Sequence, residues 1–238
     1  SLAQSWAVIS GKANQERADQ AMHSVEDHLV CEAAQLVLLF TPPFDRSQHD
    51  PGYIKGYLPG VRENGGQYTH GSLWVPMAYA RLGDGASAVK LLRMMNSVEH
   101  SRTPDDVERF KVEPYVSVGD VYSLAGKVGR GGWTWYSGSA GWMYRIWLEE
   151  VLGFQLRGER LTISPVLPPD WPGFAIRFRY RKSSYVIRVE QASDGSPLAR
   201  LDGAALPSPS IRLVDDGAEH DFFIRLAPHS RPTAQPES

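Results

Sequence analysis

YIKGYLPGVRENGGQYTHGSLW, residues 53–74, sets Lys55, Arg62, Glu63, Asn64, Gln67, Thr69 and His70 among five glycines and four aromatic residues. Glycine permits positive φ and lets a backbone approach a ligand closely. Aromatic rings can cover the apolar faces of a pyranose, while amides and carboxylates bond its hydroxyls. A long polar surface loop with two turns has much the same composition. A second stretch of the same character favours the binding reading: GRGGWTWYSGSAGW at 129–142 holds three tryptophans, a tyrosine, two serines and a threonine among five glycines. A Gly-Ser-rich segment leading into a helix can point N–H groups and hydroxyls at an anion, helped by the helix dipole. Such a segment is also a common helix-packing device.

Outward from the first stretch the chain reads as helices. Leu2 to Ile9 is a short helix closed by Gly11. Asn14 can cap the next, in which Ala18, Ala21, Met22, Val25 and Leu29 recur at helical spacing. Gln35 to Phe40 is apolar and fits a helix end or a buried strand equally; Thr41-Pro42-Pro43 stops it. The loop of roughly 25 residues that follows is long enough to suggest function. His70 to Arg81 reads as a helix ended by Gly83. Asp84 caps its antiparallel partner, with Ala88, Leu91, Leu92, Met95 and Val98 as the apolar stripe. Ser117 to Ala125 reads as a further helix behind Glu113-Pro114-Tyr115. Ser139 to Val151 is the last, with Trp142, Met143, Ile146 and Trp147 inward and Gly153 past its end.

From Phe154 the apolar period changes to two. Ile176, Phe178 and Tyr180 alternate with Arg177, Arg179 and Arg181. Tyr185, Ile187 and Val189 alternate with Val186, Arg188 and Glu190, and Lys182-Ser183-Ser184 turns between the two runs. Leu156, Leu161 and Ile163, then Ile211 to Val214 and Phe222 to Leu226, add shorter strands. The arginine row reads as the solvated face of a strand. The fold class is therefore mainly α plus β: helical hairpins over 1–153, a small antiparallel β domain over 154–226, and a Pro-rich tail over 227–238 that reads as disordered.

Composition excludes several classes. A net charge of −2 argues against nucleic acid. No apolar run approaches the roughly 20 residues a membrane-spanning helix needs. Cys31 stands alone, so no intramolecular disulfide forms, and a reducing, cytoplasmic setting is expected. The chain opens SLAQSWAVISG, with no initiator Met or signal-peptide pattern, and is expected to start inside a larger polypeptide.

Three motifs, PGVRENGGQYTHGSLW at 59–74, VEPYVSVGDVY at 112–122 and GRGGWTWYSGSAGWMYR at 129–145, resemble glycoside hydrolase family 94, the cellobiose- and chitobiose-phosphorylase-like proteins. The Tyr-Thr-His variant after Arg-Glu-Asn-Gly-Gly looks most like the branch formed by the C-terminal region of cyclic β-1,2-glucan synthases. The resemblance implies an (α/α)6 barrel with a C-terminal β domain, of which 1–153 would supply the closing helices. It also implies an inverting phosphorylase acting on β-glucans, in chain synthesis or trimming. Inorganic phosphate would be co-substrate, with no cofactor and no metal.

Inversion needs an acid on the leaving oxygen and a nucleophile on the opposite face. Phosphate is already anionic, so the site needs donors that hold it in line rather than a base. His70 can donate from either ring nitrogen. By resemblance it falls on the family's phosphate-contacting His, and Ser137 and Gly138 fall on the neighbouring Thr/Ser-Gly pair, with Ser139 a near alternative. The Arg62-Glu63-Asn64 segment then lines the sugar site, although Arg62 and Glu63 could simply pair with each other. Lys55, Glu113, Tyr115 and Trp135 are further sugar candidates, with Trp133 and Tyr136 as other stacking rings. The family's general acid is an Asp in an Asp-Trp-Asn-Asp-like motif. Here the Asp-Trp pair, Asp170-Trp171, is followed by Pro172-Gly173 and lies at the start of the β unit, so no catalytic acid is assigned within the chain.

The expected partners are a β-glucan oligosaccharide, phosphate, the rest of the parent polypeptide and, as an open option, a second copy. Tethering at the inner membrane through the rest of the parent is likewise left open. A non-catalytic carbohydrate-binding segment is the alternative; the upstream Asp motif discriminates the two.

Overall fold

The structure, a computed structural model, describes residues 1–192 and 198–227. The C-terminal tail from 228 onward, which the sequence reading calls disordered, lies outside them. The chain divides into two compact units, Ser1–Ile146 and Trp147–Ser238.

In the first unit, α1 (Leu2–Ile9) packs on α2 (Gln15–Leu29), whose N-terminus is capped by the Asn14 side chain accepting from Arg17 N–H. Ala18, Met22, Val25 and Leu29 are the buried stripe of α2. The ambiguous segment at 35–40 resolves as extended chain: β1 (Val30–Cys31) pairs antiparallel with β2 (Leu36–Val37). The expected helix at 70–81 is two pieces, α3 (Thr69–Ser72) and α4 (Trp74–Arg81). Pro76 has no N–H for the Ser72 carbonyl, so the ladder is interrupted there. Gly83 takes φ +80° to leave α4. Asp84 at once caps α5 (Gly85–Met94), accepting from Ser87 N–H at 2.9 Å. The apolar stripe of α5 is buried as expected through Met95, but Val98 lies beyond the helix end and is exposed.

Over 100–125 one helix was missed and one expected helix is absent. Sequence reading overlooked α6 (Pro104–Phe110), although its signals are all present: Thr103 caps it, Pro104 opens it, and Asp105 and Asp106 fill the first turn. Conversely, Ser117–Ala125 is not helical. Val116 is buried, as is the whole run from Val118 to Val121, and the backbone bonds run sideways. The strand β3 (Gln67–Tyr68) pairs with β4 (Asp120–Val121), Thr69 N–H donates to Gly119 O, and Ser123 N–H donates to Gly60 O. The β-branched valines fit that extended, half-covered path better than a helix. The last helix, α7 (Ser137–Arg145), starts two residues earlier than expected and gives way to a π-helical stretch at Ile146–Val151.

In the second unit, β5 (Phe154–Arg157) and β6 (Arg160–Ile163) form a hairpin. With β11 (Ser210–Arg212) they make a three-stranded sheet in the order β11-β6-β5. A five-stranded sheet runs β10-β9-β12-β8-β7. Its strands are β7 (Gly173–Tyr180), β8 (Ser183–Gln191), β9 (Leu198–Leu201), β10 (Ala204–Leu206) and β12 (Glu219–Leu226). The β7–β8 hairpin and its outward Arg177 and Arg179 are as read. The turn, however, is Arg181-Lys182, with Arg181 at φ +53°; Ser183 belongs to the strand and is buried. The sheet is also not purely antiparallel, because β12 inserts beside β8 running parallel to it. No tight turn joins those two strands, so nothing forces them antiparallel. Tyr185, Ile187, Val189, Phe222 and Ile224 form the core with Leu161, Ile163 and Leu213.

Candidate functional site

The Tyr53–Trp74 stretch is held by its own glycines and one amide. Gly60, at φ +89°, lies so close to the 120s segment that a Cβ there would fall 2.4 Å from Leu124 N. Only glycine fits, and that contact fastens the loop to the segment leading to the third motif. Asn64 is fully buried. Its Oδ1 accepts from Phe44 N–H at 2.7 Å, and its Nδ2 donates to Phe44 O and Tyr57 O at 2.9 and 2.8 Å. All of these bonds go to backbone. Asn64, read above as a sugar contact, here works as the loop's internal clamp.

That clamp presents Arg62 and Glu63. Arg62 sits at φ +50°, a conformation costly for a residue with a Cβ. Its backbone N–H donates to Asp120 Oδ2 at 2.9 Å. Its guanidinium donates to the Tyr136 hydroxyl at 3.1 Å and lies over the rings of Tyr57 and Trp133, 5.4 and 5.2 Å from their centroids. Glu63 Oε2 is 3.5 Å from Arg62 Nε, so the pair expected from adjacency does form. Both side chains are largely buried, yet Arg62 Nε and Glu63 Oε2 lack a hydrogen bond. Burial acts to lower the Arg62 pKa, but Tyr136 and Glu63 outweigh it and hold the value up. Burial and the Glu63 charge push the Tyr68 hydroxyl up. Burial likewise pushes the Asp120 carboxyl above its usual range, against the pull of Arg62. The first and third motifs thus converge on one charged, poorly hydrated cluster.

His70, in α3, lies against the start of α7: a Cβ on Gly138 would stand 3.4 Å from His70 Nδ1. Trp74 and Trp142 wall the imidazole, with ring centroids 5.3 and 6.2 Å away. The first acceptor used within α7 is Tyr136 O, bonded by Ala140 N–H. The N–H groups of Ser137, Gly138 and Ser139 therefore have no acceptor inside the helix, and its positive end faces the imidazole side. Ser137 and Gly138 are exposed. Ser139, carried above as the near alternative, is fully buried. Its hydroxyl meets Ser117 Oγ at 2.7 Å and donates toward Tyr136 O and Val118 O at 3.0 and 3.3 Å. It fastens α7 to the 117–118 segment.

The remaining candidates separate. Tyr115 and Trp135, 75% and 69% exposed, meet edge to face at 6.2 Å. Trp135 holds φ +61°, an unusual backbone for a bulky aromatic residue. Glu113, half-buried, opens the turn that carries Tyr115, its carbonyl accepting from Val116 N–H. Lys55 stands in the short helical turn Gly52–Gly56 and pairs with Asp50 at 2.8 Å, well exposed. Sequence reasoning gave no role to Asp120 or Trp74 and kept Tyr136 only as a stacking ring. Asp120 carries no local signal, because its partners are 58 and 12 residues distant, at Arg62 and Gly132. Among the described residues, no three or more His, Cys, Asp or Glu side chains are arranged to hold a metal ion.

Residues 1–153 match the family model described as the glycosyl hydrolase 94 superfamily, catalytic domain. Residues 154–204 match that of the glycosyl hydrolase family 65, C-terminal domain. A cyclic beta-(1,2)-glucan synthase, NdvB of Rhizobium meliloti (strain 1021), is 45% identical over 205 residues, 86% of this chain and 7% of that protein. An N,N'-diacetylchitobiose phosphorylase of Vibrio proteolyticus is 33% identical over 204 residues, covering 84% of this chain and 25% of its own length. A solabiose phosphorylase of Paenibacillus borealis is 28% identical over 227 residues, 94% of this chain and 29% of the relative. The chain spans less than a third of each of these relatives.

Proposed function

The chain belongs to the glycosyl hydrolase 94 superfamily, and on that premise we propose that it is the C-terminal part of an inverting glycoside phosphorylase-like protein acting on β-glucans. On this reading 1–153 supplies closing helices of an (α/α)6 barrel and 154–226 a C-terminal β domain. The likeness to a cyclic beta-(1,2)-glucan synthase favours β-1,2-linked chains. No helix among the described residues is long and apolar enough to cross a membrane, so any tether to the inner membrane of a cytoplasmic parent lies outside them. No cofactor is required.

The observation that carries the reading is the contact of His70 with Gly138 at the exposed, uncapped start of α7, beside the Arg62–Glu63–Tyr136 cluster. One imidazole donor, backbone N–H groups and the Ser137 hydroxyl approach a common opening from two helices. That arrangement suits a tetrahedral anion held in line for attack on an anomeric carbon. Arg62 and Glu63 offer a donor and an acceptor for sugar hydroxyls, and the Tyr115–Trp135 pair a face for a pyranose ring. The general acid is assigned to the parent outside this chain.

The test is His70→Ala in the full-length parent, with the phosphate and glucan Michaelis constants measured separately. Losing one hydrogen bond to a charged group raises the phosphate constant by about tenfold or more. A rise confined to the glucan constant would assign His70 to the sugar site instead.

A further inference from the structure

Asp120 belongs to none of the roles above, yet it is 1% exposed and lies where the three motifs meet. Its Oδ2 accepts from Arg62 N–H at 2.9 Å, and Tyr68, its β3 partner in register, leads directly into α3 and His70. Its Oδ1 occupies the space beside Gly132, where a Cβ would come within 2.1 Å. A side chain at 132 would therefore expel the carboxylate. Burying a carboxylate with Oδ1 unpartnered is costly, and the pull of Arg62 does not outweigh that burial. The carboxylate accepts the backbone N–H of Arg62, the residue that sits at φ +50°. In the ordinary negative-φ basins the guanidinium would leave Tyr136 and the face of Trp133.

We propose that Asp120 is a positioning residue for sugar recognition, acting through Arg62: its carboxylate locks the Arg62 backbone in the left-handed conformation that aims the guanidinium into the sugar site. This rests on the reading of Arg62 as a sugar contact. Phosphate handling through His70 and the start of α7 does not run through this lock, so the two substrates should respond differently.

The experiment uses the full-length parent with β-1,2-gluco-oligosaccharides and phosphate. Asp120→Ala is expected to raise the glucan KM about tenfold, the worth of one buried hydrogen bond, with phosphate KM and kcat within about twofold. Asp120→Asn keeps an oxygen acceptor for the Arg62 amide and should recover most of the loss. Amide exchange at Arg62 should speed up in the alanine variant and not in the asparagine variant. Glucan and phosphate constants rising together, or a glucan KM unmoved in Asp120→Ala, overturns the proposal. Arg62→Ala separates the two layers: if it leaves the glucan KM unchanged, the sugar-site reading itself fails and the proposal with it. If Arg62→Ala raises the constant and Asp120→Ala does not, only the lock is wrong. Should Asp120→Ala fail to fold, Gly132→Ala gives the same reading by displacing the carboxylate, and an unchanged glucan KM in that folded variant is equally fatal.

Discussion

The loop-and-helix cradle of the first unit and the sheet of the second handle buried polar groups in opposite ways. Between Arg62 and Asp120 the cradle leaves Arg62 Nε, Glu63 Oε2, Gln67 Nε2, Thr69 Oγ1, Trp74 Nε1 and Asp120 Oδ1 buried without partners. In the sheet unit the corresponding polar side chains are used several times over. Ser183 Oγ donates to Asp216 and accepts from Asp216 and Gly217 N–H, and Gln191 Nε2 donates to three carbonyls, Gln191 Oε1 being the buried atom left unpartnered among the described residues of that unit. Unspent hydrogen-bonding capacity is unfavourable for a scaffold and useful to a site that will take a polyhydroxyl or anionic ligand. On the function proposed above, the difference separates the part that would bind from the part that keeps the unit folded.

The sharpest way to break this comparison is to ask the chain alone for turnover. With no general acid assigned in it, incubation with β-1,2-gluco-oligosaccharides and phosphate should release glucose 1-phosphate at least about 10²–10⁴-fold more slowly than the full-length parent. Rates comparable to the parent's would mean that the cradle holds its own acid, and Asp120 or Glu63 would have to be reconsidered. Next in size is a core substitution in the sheet. Phe222→Ala removes a fully buried ring from the centre of the second unit and should cost about 3–5 kcal/mol in chemical denaturation. If glucan binding by the folded variant fell in proportion, the sheet would be part of the site rather than its scaffold.

The serines of α7 sharpen the contrast within the cradle. Ser139→Ala removes a buried hydroxyl that ties α7 to Ser117 and Val118, and should lower stability by about 1–3 kcal/mol. Ser137→Ala, at an exposed hydroxyl, should leave stability within about 0.5 kcal/mol while raising the parent's phosphate constant severalfold. Equal losses of stability would show that both serines are framework.

Where local chemistry sets the structure, the sequence was readable. The Asn14 and Asp84 caps, the stop at Gly83 and the β7–β8 alternation each depend on residues within a turn or one strand of each other. The kinship of the two glycine-rich stretches was readable from their shared composition, although they meet only in tertiary structure, where Gly138 lies against His70. What escaped depends on distant partners. The valines of 116–121 could be spaced on a helix or a strand until Gln67–Tyr68 arrives to pair with them. Asn64, Ser139 and Asp120 are ordinary polar residues in sequence, and only tertiary contacts show that the first two serve the framework. The parallel placement of β12 beside β8 likewise has no local signature, because no short turn joins them. Thr103-Pro104-Asp105-Asp106 is a different kind of omission, since a complete helix start was present and went unread.

The smallest expected effect tests the satisfied side of the comparison through pH. His220 bridges two loops of the sheet unit, its Nδ1 at 2.8 Å from Asp202 Oδ2 and its Nε2 at 3.2 Å from Asp216 Oδ1, with Tyr185 stacked on the ring at 4.8 Å. The hydrogen bond to Asp202 is the main cause raising the imidazole pKa, helped by Asp216. Asp202 is lowered chiefly by its bond to His220. Asp216 is lowered first by Ala218 N–H and Ser183, then by His220. A raised native histidine contributes stability that is complete below its unfolded value, about 6.5, and is lost as pH climbs through the higher native value. Lowered carboxylates contribute stability that is complete above about 4 and is lost as pH falls through their depressed native values. The clamp is therefore strongest between about pH 4 and pH 6.5. Raising the pH from 6 to 8.5 should lower the melting temperature, and by less in His220→Gln, which cannot carry the charge. Because both carboxylates are solvent-facing, added salt should shrink the difference between the two proteins. A wild-type melting temperature flat across that range, or a His220→Gln variant with the same slope, would mean that the charge on His220 does not hold these loops. The clamp would then reduce to the neutral ring stacked on Tyr185.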